Sequence, residues 1–324
     1  MDRPKFSLIS CNFFYPIPIA LCLLVARRVF EKYCFEPVGV SLGINPPKVI
    51  YNRSNSPLIS TLKTTNLLSS AQVSNINKYL FISTTFFNSK SETNHRICRF
   101  SRSCWHFMYY LIEFSHGMII LWNKPWLWDI RECWTGYPYQ KMSSDIWFYY
   151  VINLAYYWSL IIEVFLHKRR KDFTETVVHH VVAIFLIYIS FVMNLFRIGT
   201  LVIIVLFVSD IFLELAKLFK YLNLEIQSTT CFAFFTIIWI ISRLVIYPFW
   251  ILQDTLIDAP SLILMTPSTY LLNILLCSIA VLNIFWTYQI LRVVWKALTN
   301  QELYDERSDS EETESEEDCS EKTK

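Results

Sequence analysis

The chain has 324 residues, of which 54% are apolar, 17% aromatic and only 17% charged. A soluble domain carries about a quarter charged residues, so this composition excludes an ordinary soluble globule, and with only five glycines it is neither collagen-like nor a glycine-rich linker. The formal net charge of +2 hides a division: residues 301–324 hold 11 acidic against 3 basic residues, net −8, which leaves the remaining 300 at net +10.

Crossing a bilayer takes about 20 apolar residues in a helix. Seven segments qualify, near 11–30, 105–123, 146–166, 174–195, 198–216, 229–251 and 267–291. The chain therefore reads as an all-α polytopic membrane helix bundle with about seven transmembrane helices. The first segment reads as a retained anchor. Arg27, Arg28 and Lys32 follow its apolar run, whereas a signal peptide places its basic residues before the run. Residues 1–40 form this N-terminal end and anchor. Residues 41–100 are rich in Ser, Asn and Thr and read as a cytosolic polar loop, with one short amphipathic element at 76–87. Residues 101–296 hold the other six spans. The 252–266 stretch, with Asp254, Asp258 and Pro260, reads as an irregular lumenal loop. Residues 297–324 form an acidic tail that lacks the apolar content to fold.

Basic residues mark the cytosolic side of a membrane protein. Arg27, Arg28, Arg96, Arg99, Arg102, Lys168–Lys171, Lys217, Lys220, Arg292 and Lys296 all fall on one side of a seven-span chain that starts in the lumen. The N-terminus is then lumenal and the C-terminus cytosolic. The sequon at Asn52 falls in the cytosol and is expected to stay unmodified. Trp122, Trp126, Trp128, Trp134, Tyr137 and Tyr139 read as an interfacial aromatic belt. The nine cysteines are scattered, with no C-x-x-C pair, and read as packing residues.

The stretch 168–221 concentrates His179, His180, Asn194, Arg197, Asp210 and Glu214 in the membrane zone. Polar groups at that depth are expensive and face a bundle interior or a cavity. Neighbouring residues on a helix point about 100° apart, so the two histidines cannot face one spot equally. With a turn near 196–198, His180 and Asp210 sit at similar depth on antiparallel helices, so a His–Asp pair is geometrically possible. A carboxylate there would raise imidazole basicity, as a base or nucleophile needs. The plainer alternative is that the histidines only pack one end of a helix. The histidine spacing is not that of a metal site. Lys168–Lys171 read as a topology anchor, or as an attractor for an anionic, phosphate-bearing acyl donor. The serines and threonine among the acidic residues of the tail, Ser308, Ser310, Thr313 and Ser315, are candidate phosphorylation sites.

These residues resemble the ceramide synthases, the TLC-domain family of sphingosine N-acyltransferases. Lys168–Phe173 with His179-His180 is similar to the family's KRKDF…HH run. Ser190, Asn194, Arg197, Gly199, Thr200 and Leu201 follow its S-x-x-x-N-x-x-R-x-G-T-L run, and Ser209-Asp210, Leu213-Glu214 and Ala216-Lys217 its end. Trp122–Pro138, Phe285–Tyr288 and the acidic tail also fit. The resemblance covers about 11–40 and 96–318. It implies an enzyme of the endoplasmic reticulum that moves a fatty acyl group from acyl-CoA, as co-substrate, to the amine of a sphingoid base. It implies catalytic roles for His179, His180 and Asp210, with an acyl-imidazole on the first histidine. Asn194 and Arg197 are the candidate substrate-binding residues. No metal or further cofactor and no nucleic acid is implied; a homo- or hetero-dimer with other ceramide synthases is. The sequence departs from the family in two places. Leu206 and Phe207 stand where the family has a His-Asp pair, which leaves an altered enzyme or, alternatively, a catalytically impaired paralogue that binds lipid or partners an active synthase. The 41–100 segment lacks the homeodomain-like stretch of most animal relatives.

Overall fold

The computed structural model describes residues 16–44, 70–166 and 173–299, with side chains from Arg96 onward in the second stretch. The Asn52 sequon, the Lys168–Lys171 run and the 301–324 tail lie outside these residues. Helix α1 (Pro16–Phe30) runs through a wide turn, Glu31–Phe35, into α2 (Glu36–Ser41). Then come α3 (Ser70–Leu121), α4 (Ser144–Leu166), α5 (Phe173–Val192), α6 (Phe196–Tyr221), α7 (Glu225–Leu262) and α8 (Pro267–Leu298). Among the described residues there is no strand.

The described part of each of the seven apolar segments lies mainly on helix. Five, α4 to α8, are long and apolar enough by length and composition to cross a membrane. The first is a helix of only 15 described residues, ended by the wide turn at Glu31, and the second carries His106, Glu113 and His116, which lower its mean hydropathy. The protein is a multi-pass membrane helix bundle.

Local chemistry sets the helix ends. Asn194 has φ 59° and Asn223 has φ 58°, in the left-handed region that Asn tolerates best after Gly. At the first, the Leu195 and Asn194 N–H groups return to Ser190 O (2.8 Å) and Phe191 O (3.2 Å). Asn223 and Leu224 repeat the pattern on Lys220 O and Phe219 O. The α5–α6 turn is thus Met193–Leu195, three residues before the position read from the sequence. Thr266 caps α8 through the Thr269 N–H, with Pro267 in its first turn, where a missing N–H costs nothing.

Two loop assignments are corrected. The 41–100 stretch is helical from Ser70 onward. The 252–266 stretch stays helical to Leu262, and only residues 263–266 connect α7 to α8. From Ile240 to Leu252 and from Asp254 to Asp258 the turns of α7 are of the wide π type. They accommodate Pro248, which has no N–H to give to a regular ladder.

In lipid, helices associate through close packing and hydrogen bonds rather than water exclusion. Helix α6 is the hub, packed against α3, α5 and α7. Helix α1 packs on α4 through charge: Arg27 Nε donates to Glu31 (2.7 Å) and Arg27 Nη1 to Glu163, all with largely buried side chains. Arg96 reaches the far end of α6, donating to Tyr221 O (2.9 Å) and Asn223 Oδ1 (2.7 Å). These contacts gather Arg27 and Arg96 at one end of the bundle, the basic end.

Gly199 lets α6 approach α4 and α5. The Tyr150 hydroxyl meets Phe196 O (3.1 Å) and Ser190 Oγ (3.2 Å) beside it. A Cβ at Gly199 would run into that hydroxyl. Gly199→Ala should therefore destabilise the bundle by about 1–3 kcal/mol, as overpacking does. A thermal melt of the detergent-solubilised variant checks this, and a midpoint equal to that of the parent chain would refute it.

Candidate active site

His179 and His180 project from the first half of α5, which packs against α4 and α8. Their ring centroids are 5.5 Å apart. Tyr157 of α4 meets both, at 6.3 Å and 6.0 Å. Only His179 also meets Trp286 of α8, edge-on at 5.0 Å. The two imidazoles thus share one aromatic wall but face different neighbours, as their 100° offset requires. The Nδ1 atom of each ring is buried and has no hydrogen-bond partner. Each ring therefore keeps a nitrogen uncommitted to the fold, and a neutral imidazole with a free nitrogen can act as base or nucleophile.

Asp210 faces the same interior region but does not pair with a histidine. Both its carboxylate oxygens accept from Arg243 Nη2, at 2.9 and 3.0 Å. Arg243 stands in the wide-turn part of α7 and is only 5% exposed. It also donates to Leu206 O (2.7 Å), Ser209 Oγ (3.2 Å) and Asn283 Oδ1 (3.3 Å), and lies 4.2 Å over the Trp239 ring. The His–Asp pairing inferred from matched depth is replaced by an Arg–Asp pair. Depth along two helices does not fix which faces meet, and a guanidinium offers the carboxylate a planar set of donors. Tyr157 is common to both groups: its ring meets the histidines and it interacts electrostatically with Asp210 and Arg243. Sequence reasoning passed over Arg243. The signal was a single arginine inside an apolar run of spanning length, which the cost of intramembrane charge marks as functional or paired.

Leu206 and Phe207 are 6% and 1% exposed. Phe207 packs on the rings of Tyr110 (5.4 Å) and Tyr109 (6.4 Å) of α3. These two side chains are packing groups, and of the two residues it is the Leu206 carbonyl that takes part in the polar network.

Asn194 and Arg197 sit beyond the opposite end of α5, whose last residue, Val192, is about 20 Å of helix from His179 at 1.5 Å per residue. The structure does not bring them to the histidines. Asn194 Nδ2 donates to Pro138 O (2.6 Å) and Gln140 O (2.8 Å). Arg197 Nη1 donates to Glu132 O (2.7 Å) and Thr135 O (3.1 Å), and its guanidinium lies 4.6 Å over Trp126. Both hold the 122–140 loop onto the end of α5–α6. Two of the six expected belt residues are enclosed by that loop. Trp126 and Trp134 are 7% and 6% exposed, and Trp134 Nε1 donates to Asp254 Oδ2 at 2.7 Å. Trp122, Trp128 and Tyr139 do face outward. Among the described residues no group of three or more His, Cys, Asp or Glu could hold a metal ion.

A TLC-domain family model matches residues 99–292, a span that contains every residue above. Ceramide synthase 5 of Homo sapiens is 36% identical over 315 residues, 95% of this chain and 80% of that protein. The chain belongs to the ceramide synthase family. Ceramide synthase 3 of Homo sapiens is 36% identical over 93% of this chain and 80% of its own length. Ceramide synthase hyl-1 of Caenorhabditis elegans is 37% identical over 64% of this chain and 59% of its own. The histidine pair and the Asp210–Arg243 pair both lie within the matched span.

Proposed function

We propose that this ceramide synthase transfers a fatty acyl group from acyl-CoA to the amine of a long-chain sphingoid base. The observation that carries the reading is the pair of imidazoles with uncommitted Nδ1 atoms, set between Tyr157 and Trp286 inside a membrane bundle. An imidazole nitrogen of His179 attacks the thioester carbonyl, the carbon–sulfur bond breaks, and CoA leaves. The amine then attacks the acyl-imidazole, the carbon–nitrogen bond to the ring breaks, and the amine gives up one proton as the amide forms. His180, one position on, acts as the neighbouring base. The apolar wall keeps water from intercepting the acyl group. Arg243 orients Asp210 and balances its charge, and Tyr157 connects that pair to the imidazoles. Asn194 and Arg197 act by anchoring the 122–140 loop, not by touching substrate. The basic end is cytosolic and the 122–140 loop lumenal, in the endoplasmic reticulum, so acyl-CoA reaches the histidines from the cytosolic side. Arg27 and Arg96 meeting at one end supports that orientation.

The test is conversion of labelled sphinganine by microsomes holding the full chain, across a panel of acyl-CoA lengths. The expected result is dihydroceramide with a defined preference among lengths. A well-folded preparation that makes no product with any length would overturn the reading. It would favour the impaired, lipid-binding paralogue, for which the apolar packing of Leu206 and Phe207 is the specific observation.

A further inference from the structure

A second polar cluster lies in the half of the bundle nearer the 122–140 loop. Glu113 of α3 is 6% exposed, and Asn153 and Tyr149 of α4 are 0% and 1% exposed. Glu113 Oε2 accepts from Asn153 Nδ2 at 3.0 Å, and the same amide donates to Tyr149 O at 2.8 Å. His116 Nδ1 lies 3.7 Å from Glu113 Oε2, and its side chain is 31% exposed against 7% for Glu113. Asn153 Oδ1 and the Tyr149 hydroxyl are buried with no hydrogen-bond partner. The titratable groups facing Glu113 are His116 and Tyr109 from its own helix and Tyr149 from α4, beside the neutral Asn153 amide. The cluster presents a carboxylate, an amide oxygen and a hydroxyl. Buried acceptors without donors cost free energy until a donor arrives. A positively charged group with several N–H bonds suits a carboxylate beside two neutral acceptors best.

The proposed reaction lacks a step that this cluster could supply. A long-chain amine resembles a lysine side chain, with a pKa of about 10.4, so on the order of one molecule in a thousand is neutral near pH 7. The ammonium form has no lone pair for attack. It is also costly to hold in a membrane without a counter-charge, whereas a neutral amine moves through an apolar interior far more cheaply.

We propose that Glu113 receives the substrate amine as an ammonium ion and takes one proton from it. This rests on the ceramide synthase reading above. The carboxylate and R–NH3+ become the carboxylic acid and R–NH2, with no other bond made or broken. The Asn153 oxygen and the Tyr149 hydroxyl accept the remaining N–H bonds. The proton leaves through His116, which reaches the bundle surface. The neutral amine then moves toward the histidines along α4, where Tyr157 stands one turn beyond Asn153, about 6 Å on.

The experiment has two arms on the purified full chain in nanodiscs. In the first, sphinganine without acyl-CoA should raise the melting midpoint, and any rise from N-acetylsphinganine, which has no ammonium, should be the same in parent and Glu113→Gln. Glu113→Gln should abolish the part of the sphinganine effect that exceeds it. This arm needs no acyl transfer, so it stands even if the chain proves inactive. Equal stabilisation of parent and variant would overturn the proposal. In the second arm, kcat/KM for sphinganine is measured from pH 6.5 to 9.5. Glu113→Gln should lose at least tenfold at pH 7. That loss should shrink by about tenfold per pH unit, because the neutral amine fraction in solution rises at that rate below its pKa. Glu113→Asp, which keeps the carboxylate, should hold the parent profile. A loss in Glu113→Gln that is constant with pH would mean a structural ion pair with His116 only. Failure of the parent chain to make product from any acyl-CoA would instead fault the acyl-transfer reading.

Discussion

Exchange of His179 for alanine is expected to lower dihydroceramide formation by 10²–10⁴-fold, the usual contribution of a positioned acid–base or nucleophilic imidazole. His179 meets Trp286 as well as Tyr157, and its Nδ1 has no structural partner. Removal therefore takes away chemistry and little hydrogen bonding. The melting midpoint should move far less than the rate. Incubation with acyl-CoA alone should leave an acyl adduct on the parent chain, read by intact mass, and none on His179→Ala. His180→Ala should still form the adduct, but slowly. An adduct of normal yield on His179→Ala would exclude this ring as the nucleophile.

The second large effect is expected at Arg243. Its guanidinium contacts both oxygens of Asp210, the Leu206 carbonyl, Ser209 and Asn283 at once. Arg243→Gln leaves the Asp210 carboxylate inside the bundle without its counter-charge. Breaking one half of a buried pair costs about 3–5 kcal/mol. The variant should melt well below the parent chain and show no acyl transfer. Adding Asp210→Asn removes the stranded charge, so the double variant should recover much of the midpoint while activity stays absent. That split separates stability from catalysis. An Arg243→Gln chain as stable as the parent would show that the pair contributes nothing to the fold.

The sequence was most legible where composition and period carry the information. Seven apolar runs marked the helices, and the paired histidines stood out because imidazoles are rare at that depth. Contacts between faces were less legible. Periodicity tells which side of a helix is buried but not what it meets, so Asp210 was matched to a histidine when its partner was Arg243, 33 residues on. The 252–266 loop assignment failed where Pro260 was taken as a break. Pro260 lies in the first turn of the last helical segment of α7, Ala259–Leu262, and Pro267 in the first turn of α8, the positions a helix tolerates. The helix from Ser70 was anticipated only at 76–87, because the rest of this Ser- and Asn-rich stretch shows no apolar stripe. Trp126 and Trp134 were assigned to the interface by type, yet a cation and a carboxylate hold them inside. The Glu113 cluster was legible only as one acid in a spanning segment, since Asn153 and Tyr149 join it from another helix.

The salt bridge from Arg27 to Glu163 spans 136 residues of chain, and this bears on biogenesis. Arg27 leaves the ribosome long before Glu163 does. In that interval it has a provisional partner one turn away, Glu31, on the same helical rod. Arg27 can therefore enter the bilayer with its charge already balanced by Glu31. The first helix must then remain beside the translocon through the synthesis of α3 and most of α4 before its second carboxylate arrives. Assembly of this protein is thus a matter of retention as much as insertion: α1 gains its second carboxylate only once α4 is made, ahead of α5 to α8.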